Sequence, residues 1–359
     1  MNLKKKKIKF GFGTYGIGEK KSRNFCSEKS RIYFLNKVYE EGVFFFDTAE
    51  DYHKGFSEYL LGKAFKKNDE VVIATKISPI NYKKNILQSI NESLRRLNRD
   101  RIDIIQLHWP NYNVDDLKII ESLYEAFSMK KIKYVGLCNV TKKYLDRFLK
   151  LSMGKLKIKI IQNEYNLFER SVEEKLLNFC KKKKINFLAY SPFGSSKQVN
   201  KIFSSVHIKE ISEVFRLKPS QVILQWLSYN GAIPIFQTSN LSNLKENIMF
   251  DSRIISTDFF EKINKEFEVK VVKVLPIEIQ IVESFSGKFY TNIEQAKKNI
   301  YNFSPSPMEV AMEIKENDIL KPIKLKKTRS GYSLYEGQLR YWGWVLAYGN
   351  NSPIEAIIE

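Results

Sequence analysis

Eight short runs of apolar, β-branched and aromatic residues punctuate the chain, at 9–13, 43–46, 71–75, 102–107, 134–137, 158–161, 185–189 and 232–236. Runs of this length and content read as strands. The stretches between them keep a different rhythm. Ile86, Ile90, Leu94 and Leu97 fall on one face of a helix, as do Val172, Leu176, Leu177 and Cys180. An apolar stripe recurring every three or four residues is a helix laid on a core. Strand then helix, eight times over about 270 residues, has the size and order of a closed (β/α)8 barrel, an α/β fold. A doubly wound open sheet is the rival arrangement of the same elements.

The strand ends narrow the choice. At or just past the eight runs stand Thr14, Asp47, Lys76, His108, Asn139, Gln162, Tyr190 and Thr238. Any one of these alone is an ordinary turn or cap residue. A barrel gathers all eight ends around one mouth, which is where barrel enzymes place their chemistry.

Four residues near those ends can move a proton together: Asp47, Tyr52 five residues later, Lys76 and His108. A tyrosine hydroxyl titrates near pH 10, so at neutral pH it is a reluctant acid. A neighbouring ammonium favours the phenolate and is expected to pull that value down. A carboxylate paired with the lysine keeps it charged and oriented. A neutral histidine can donate to a carbonyl oxygen as negative charge builds there. The set suits protonation of an oxyanion while hydride reaches the adjacent carbon.

With these residues in view, positions 8–250 resemble the aldo-keto reductases, barrel enzymes that use NADP or NAD. The matching stretches include Gly11-Phe12-Gly13-Thr14, Phe46-Asp47-Thr48-Ala49-Glu50-Asp51-Tyr52, Ala74-Thr75-Lys76 and Asp103-Ile104-Ile105-Gln106-Leu107-His108-Trp109-Pro110. Further along come Val135-Gly136-Leu137-Cys138-Asn139, Ile161-Gln162-Asn163-Glu164-Tyr165-Asn166, Ala189-Tyr190-Ser191-Pro192 and Leu244-Lys245-Glu246-Asn247. The resemblance implies reduction of an aldehyde or ketone, a sugar-derived one included, with Tyr52 as general acid, Lys76 as its modulator, Asp47 as partner of Lys76, and His108 orienting the carbonyl. It further implies that Asn139 and Gln162 bind the nicotinamide carboxamide, that Tyr190 stacks on the ring and that Thr14 lies beside it. Thr238, Ser239, Glu246 and Asn247 would hold the adenosine end. Tyr15, Trp109, Phe168 and Phe193 are candidate pocket walls or core. Two positions depart from the family pattern. Cys138 stands where serine is common, and Asn243 replaces the arginine that often meets the 2′-phosphate of NADP, so both NADP and NAD stay open. A cofactor-sensing or nucleotide-binding regulatory protein with little turnover is the alternative reading.

Composition and charge bound the remainder. The 359 residues are 43% hydrophobic and 28% charged, as in a globular chain. Cys26, Cys138 and Cys180 show neither a disulfide framework nor metal-ligand spacing, so no metal is expected. No apolar run reaches the length of a spanning helix, and glycines break up residues 10–18. A cytoplasmic location without a membrane partner is therefore expected. The formal charge is +20, a balance that points to nucleic acid or an anionic surface. From residue 276 onward, however, ten basic residues meet ten acidic ones, so the whole excess belongs to the barrel region.

The boundary is placed at 270/271. Beyond it, 276–281 reads as a strand, 293–299 as a short helix, 305–311 as the start of another, and 321–325 and 332–334 as strands. Gly337-Gln338-Leu339-Arg340 then opens a last helix. This order resembles a small α+β domain of the ParB/sulfiredoxin-like type. The resemblance would carry Gly337 and Arg340 over as nucleotide-phosphate contacts. A tail of zero net charge makes a poor DNA clamp, so DNA is not an expected partner there.

Overall fold

A computed structural model of the chain describes every residue except 1, 4, 5, 20–24, 67, 69, 84, 112, 252, 253, 282–286, 320 and 359. It divides into two compact units, Met1–Phe267 and Glu268–Glu359.

In the first unit eight parallel strands close on themselves: β1 (Gly11–Gly13), β2 (Phe45–Asp47), β3 (Val72–Ile77), β4 (Ile102–Leu107), β5 (Ile132–Cys138), β6 (Ile158–Glu164), β7 (Asn186–Tyr190) and β8 (Ala232–Phe236). Strand β8 pairs with β1 through Phe236 and Phe12, which completes the barrel and excludes the open sheet. Successive strand residues point to opposite faces. Phe45, Val72, Ala74, Ile104, Ile160, Leu188 and Ile235 cluster as one buried set with Ile8, apart from the larger core that includes Phe46, Ile73, Ile105 and Ile161. The smaller set fills the barrel and the larger one lies between strands and helices. Two residues further along the inward rows stand Asp47, Lys76, Gln106, Gln162 and Tyr190. Period-two alternation thus lays a polar layer directly on an apolar plug.

The helices follow local rules. Ile86–Leu97 is capped by Asn85, whose side chain accepts from the Gln88 amide at 2.9 Å, and it ends at Asn98 with φ 51°. The regular helix expected over 172–180 opens instead with a wider π-type turn at Glu173–Leu177, closed by Leu177 N–H to Val172 C=O at 2.8 Å, before the α-helix Asn178–Lys183. Glu173, half-buried there, accepts from the Tyr165 hydroxyl and pairs with Arg170.

The second unit is a five-stranded sheet with helices. Its strands are β9 (Val271–Val274), β10 (Ile279–Gln280), β11 (Ile323–Thr328), β12 (Gly331–Glu336) and β13 (Ile354–Ile358), in spatial order β9-β13-β11-β12-β10. Helices Pro307–Asn317 and Gln338–Tyr348 supply Val310, Ile314, Trp342 and Val345 to its buried residues. Of residues 276–281, Pro276–Glu278 form a 3₁₀ turn, because Pro276 fixes its own φ and offers no ladder donor, and Ile279–Gln280 form the strand β10. The final strand β13 was not foreseen. Its inward Ile354 and Ala356 are too short a signal until β9 and β11 flank them.

Candidate active site

Asp47, Tyr52, Lys76 and His108 converge. Lys76, 2% exposed, sits at the top of β3, and its Nζ donates to Asp47 Oδ2 at 2.6 Å, to the Thr48 carbonyl at 2.8 Å and to the Tyr52 hydroxyl at 3.1 Å. Tyr52 is delivered by the 48–55 loop between β2 and helix Phe56–Ala64. That loop is held by Thr48 N–H to Ala74 C=O, and at its far end by Ser57 Oγ to the Thr14 carbonyl. The His108 ring lies edge-on to Tyr52, with centroids 5.9 Å apart. Its Nδ1 stands 3.5 Å from Asp51 Oδ2, an electrostatic contact and not a hydrogen bond.

The electrostatics correct one expectation. Burial pushes the Tyr52 phenol above its ordinary pKa. Lys76 pulls it down and Asp47 pushes it up, and the net direction is upward. The hydroxyl is therefore held in its acid form. Burial works against the Lys76 ammonium, but Asp47, Tyr52 and Cys138 together outweigh it, so the lysine stays charged. Burial likewise raises Asp51, yet His108, Ser78 and Lys76 outweigh it and keep that carboxyl below the usual range.

Beneath the lysine lies a layer the sequence only half announced. Asp47 Oδ1 accepts from Gln162 Nε2 at 2.9 Å and from Gln106 Nε2 at 3.2 Å. The Cys138 thiol, buried and pushed up in pKa by that burial, donates to Gln106 Oε1 at 3.3 Å or to Gln162 Oε1 at 3.4 Å. Gln106 had been given no role. Its signal was the two-residue step from the inward-facing Ile104. Across the ladder it faces Gly136, where a Cβ would meet Gln106 Cγ at 3.0 Å. Gly136 makes the room that Gln106 occupies.

The other expected residues fall into two groups. Asn139, in the left-handed region at φ 57°, donates to the His108 carbonyl at 3.0 Å and accepts from the Tyr190 hydroxyl at 2.8 Å. With Gln162 these form one edge of the mouth, on β5, β6 and β7. Thr14 is buried, its hydroxyl bonded to the Asp47 carbonyl at 3.0 Å. Thr238 and Ser239 follow β8, beside β1, and Glu246 and Asn247 lie on helix Leu241–Ile248, which Asn240 caps. Lys245, the sole cation in 237–248, pairs with Glu41 at 3.2 Å. Tyr15 is 60% exposed and stacks edge-on against Tyr52 at 5.2 Å, and Trp109 is exposed as well. Phe168 and Phe193 pack against the core instead. In the second unit, Gly337 caps a helix at φ 101°, but the Arg340 guanidinium donates to the carbonyls of Lys321 and Pro322 and lies 3.6 Å from Glu336. That arginine is committed to its own fold and is not presented as a phosphate ligand.

Comparison with known proteins agrees with the barrel. Residues 9–266 match the aldo/keto reductase family. Aldo-keto reductase YhdN of Bacillus subtilis (strain 168) is 33% identical over 195 residues, covering 51% of this chain and 57% of its own length. The chain thus spans little more than half of that relative. A thermostable aldo-keto reductase in complex with the inhibitor epalrestat is 25% identical, with a TM-score of 0.66 over 72% of this chain and 98% of its own. An aldo-keto reductase from Klebsiella pneumoniae in complex with NADPH shares the fold at 22% identity, with a TM-score of 0.65 over 72% of this chain and 90% of its own.

Proposed function

The chain belongs to the aldo/keto reductase family, and from that premise we propose that it reduces an aldehyde or ketone to the alcohol with NADP(H) or NAD(H), Tyr52 supplying the proton. The observation that carries this is Lys76 Nζ, held at 2.6 Å by Asp47 while standing 3.1 Å from the Tyr52 hydroxyl. Burial keeps the phenol protonated in the resting site. As the carbonyl oxygen gains negative charge, the Tyr52 proton moves to it, and the adjacent ammonium stabilises the phenolate left behind. Asp47 keeps that ammonium charged and aimed. His108, beside the Tyr52 ring, gives an N–H to the same oxygen. A solvent-shielded Lys–Tyr–Asp arrangement of this kind is costly as mere architecture, which favours the functional reading.

The bound nicotinamide supplies the hydride. The donor set suits it: Gln162 gives one N–H to Asp47 and keeps a second for the carboxamide, and Asn139, bonded to the His108 carbonyl and the Tyr190 hydroxyl, keeps a second N–H and a second lone pair. Thr14, Thr238, Ser239, Glu246 and Asn247 would hold the rest of the dinucleotide. With Lys245 drawn to Glu41, no cation of 237–248 is reserved for a 2′-phosphate, which supports use of NAD beside NADP.

A panel of aldehydes and ketones, sugars included, should show carbonyl-dependent oxidation of NADPH or NADH. Tyr52→Phe should abolish turnover while cofactor binding, followed by fluorescence quenching, survives. Cofactor binding without turnover on any carbonyl would favour the sensing alternative, and a fully active Tyr52→Phe would remove Tyr52 from its role. For the ParB/sulfiredoxin-like reading of the tail, support is limited to the order of its sequence motifs. A CTP or ATP affinity lost in Arg340→Ala is the result that reading requires.

A further inference from the structure

The positive charge of the first unit is not spread evenly. Residues 130–133, 155–159 and 181–184 hold ten lysines and no acidic residue. These three stretches lead into β5, β6 and β7, which are neighbours in the barrel. Backbone bonds tie them together: Val135 N–H reaches the Lys157 carbonyl at 3.1 Å, and the Asn186 side chain reaches the Lys159 carbonyl at 3.1 Å. All enter the strands at their N-terminal ends, opposite the mouth. The segments entering β2 and β3 carry Glu40, Glu41 and Glu70 together with Lys66 and Lys67, and the stretch before β1 is itself lysine-rich.

Lys131 donates to the Asn91 side-chain oxygen. Among the described residues none of the ten makes an ion pair with a carboxylate. Lys155 and Lys157 lie over the rings of Tyr124 and Phe127, at 5.8 and 5.9 Å. Two of the stretches repeat one pattern, Met129-Lys130-Lys131-Ile132-Lys133 and Met153-Gly154-Lys155-Leu156-Lys157. In each the Ile or Leu is buried and anchors the segment, while the methionine stands out, Met129 52% and Met153 72% exposed.

We propose that this face of the barrel, at the N-terminal ends of β5–β7, docks on an anionic lipid bilayer. The lysines would meet headgroup phosphates, Met129 and Met153 would seat at the acyl boundary, and the catalytic mouth would stay toward water. Two features favour lipid over nucleic acid. The patch contains lysine and no arginine, so it lacks the planar forks that read nucleic-acid phosphates and bases. Its two protruding tips are apolar, which suits an interface with hydrocarbon beneath it. The absence of a spanning helix, which led to the expectation of no membrane partner, bears on insertion and leaves surface docking open.

The test is co-sedimentation of the full chain with vesicles of phosphatidylcholine alone or with one third phosphatidylserine. Binding is expected only to the serine-containing vesicles at about 0.1 M salt, with loss at about 1 M as charges are screened. The variant carrying Lys155→Glu, Lys157→Glu, Lys182→Glu and Lys183→Glu should partition at least about a hundredfold less. Its carbonyl reduction without vesicles should equal that of the parent, since none of these side chains touches the mouth. Met129→Ser with Met153→Ser, which leaves the charge intact, should weaken binding several-fold and serves if the lysine variant fails to fold. Equal binding to both vesicle types, no binding to either, or undiminished binding by both variants would overturn the proposal. So would a tight gel shift of duplex DNA or RNA under conditions where vesicles are ignored.

Discussion

Gln106→Leu isolates the layer beneath Lys76. The substitution keeps roughly the volume and the apolar stem but removes one of two amide donors to Asp47 Oδ1. A hydrogen bond to a charged acceptor is worth about 1.5–3 kcal/mol. Gln106 is 0% and Asp47 4% exposed, so water cannot take over the bond. At 3.2 Å it is the longest of the three side-chain contacts on that carboxylate, after Lys76 at 2.6 Å and Gln162 at 2.9 Å. The lower part of the range applies, about 1.5–2 kcal/mol, with little added for a cavity because the volume is conserved. Cys138 loses one acceptor and keeps Gln162 Oε1 at 3.4 Å. Urea denaturation should report this loss, and kcat should fall with little change in cofactor affinity as Asp47 gains freedom beside Lys76. Gln106→Glu should behave differently. Two carboxylates in contact cannot both ionise, so its stability should drop further as pH rises above about 4.3, whereas that of Gln106→Leu should not show this extra decline. A loss below about 0.5 kcal/mol together with an unchanged kcat would refute the claim that this amide supports the catalytic carboxylate.

Other outcomes follow from the same geometry. Gly136→Ala would set a Cβ 3.0 Å from Gln106 Cγ and 3.1 Å from the Ile160 carbonyl, and should cost about 1–3 kcal/mol in thermal unfolding; an unchanged Tm would show that the ladder yields easily. Burial raises the Glu50 carboxyl despite its bonds from Ser78 and Asn81. A group favoured in its protonated form when folded destabilises the protein as pH climbs past its unfolded value, so Glu50→Gln should raise Tm at pH 8 and not at pH 4, checked by calorimetry. With the Tyr52 phenol raised, the reductive rate should stay level through neutral pH and decline only near or above about pH 10; a fall near pH 7 would point to another acid. Glu41→Gln should release Lys245 and shift the affinity ratio toward NADP by about two- to fivefold in titrations with each dinucleotide.

How much was legible in the sequence depended on range. Strand and helix rhythms are local, so Ile86–Leu97, Ile102–Leu107 and Ala232–Phe236 could be read from spacing to within a residue or two, and with them the order of the polar strand ends. In the barrel, period two sets Asp47 and Lys76 on the rows of Phe45 and Ala74, which face inward. The same rule would have marked Gln106, whose importance was missed because a glutamine between Ile105 and Leu107 gives no chemical signal of its own. The ends of the second unit resisted for another reason. Strand β13 is defined by pairing with β9 and β11, partners 33 or more positions away in the chain.

What the sequence determined by itself was the inventory: eight strand–helix units, a phenol, an ammonium, a carboxylate and an imidazole at corresponding ends, and a charge excess confined to the first three quarters of the chain. What only the tertiary structure decided was every property that depends on neighbours from elsewhere. Desolvation made Tyr52 a stronger holder of its proton than its lysine neighbour suggested, Gln162 turned to Asp47, Arg340 turned to its own backbone, and three lysine-rich segments came to enter neighbouring strands. Burial and electrostatic coupling are set by distance in space, and barrel closure brings together groups that the sequence keeps far apart.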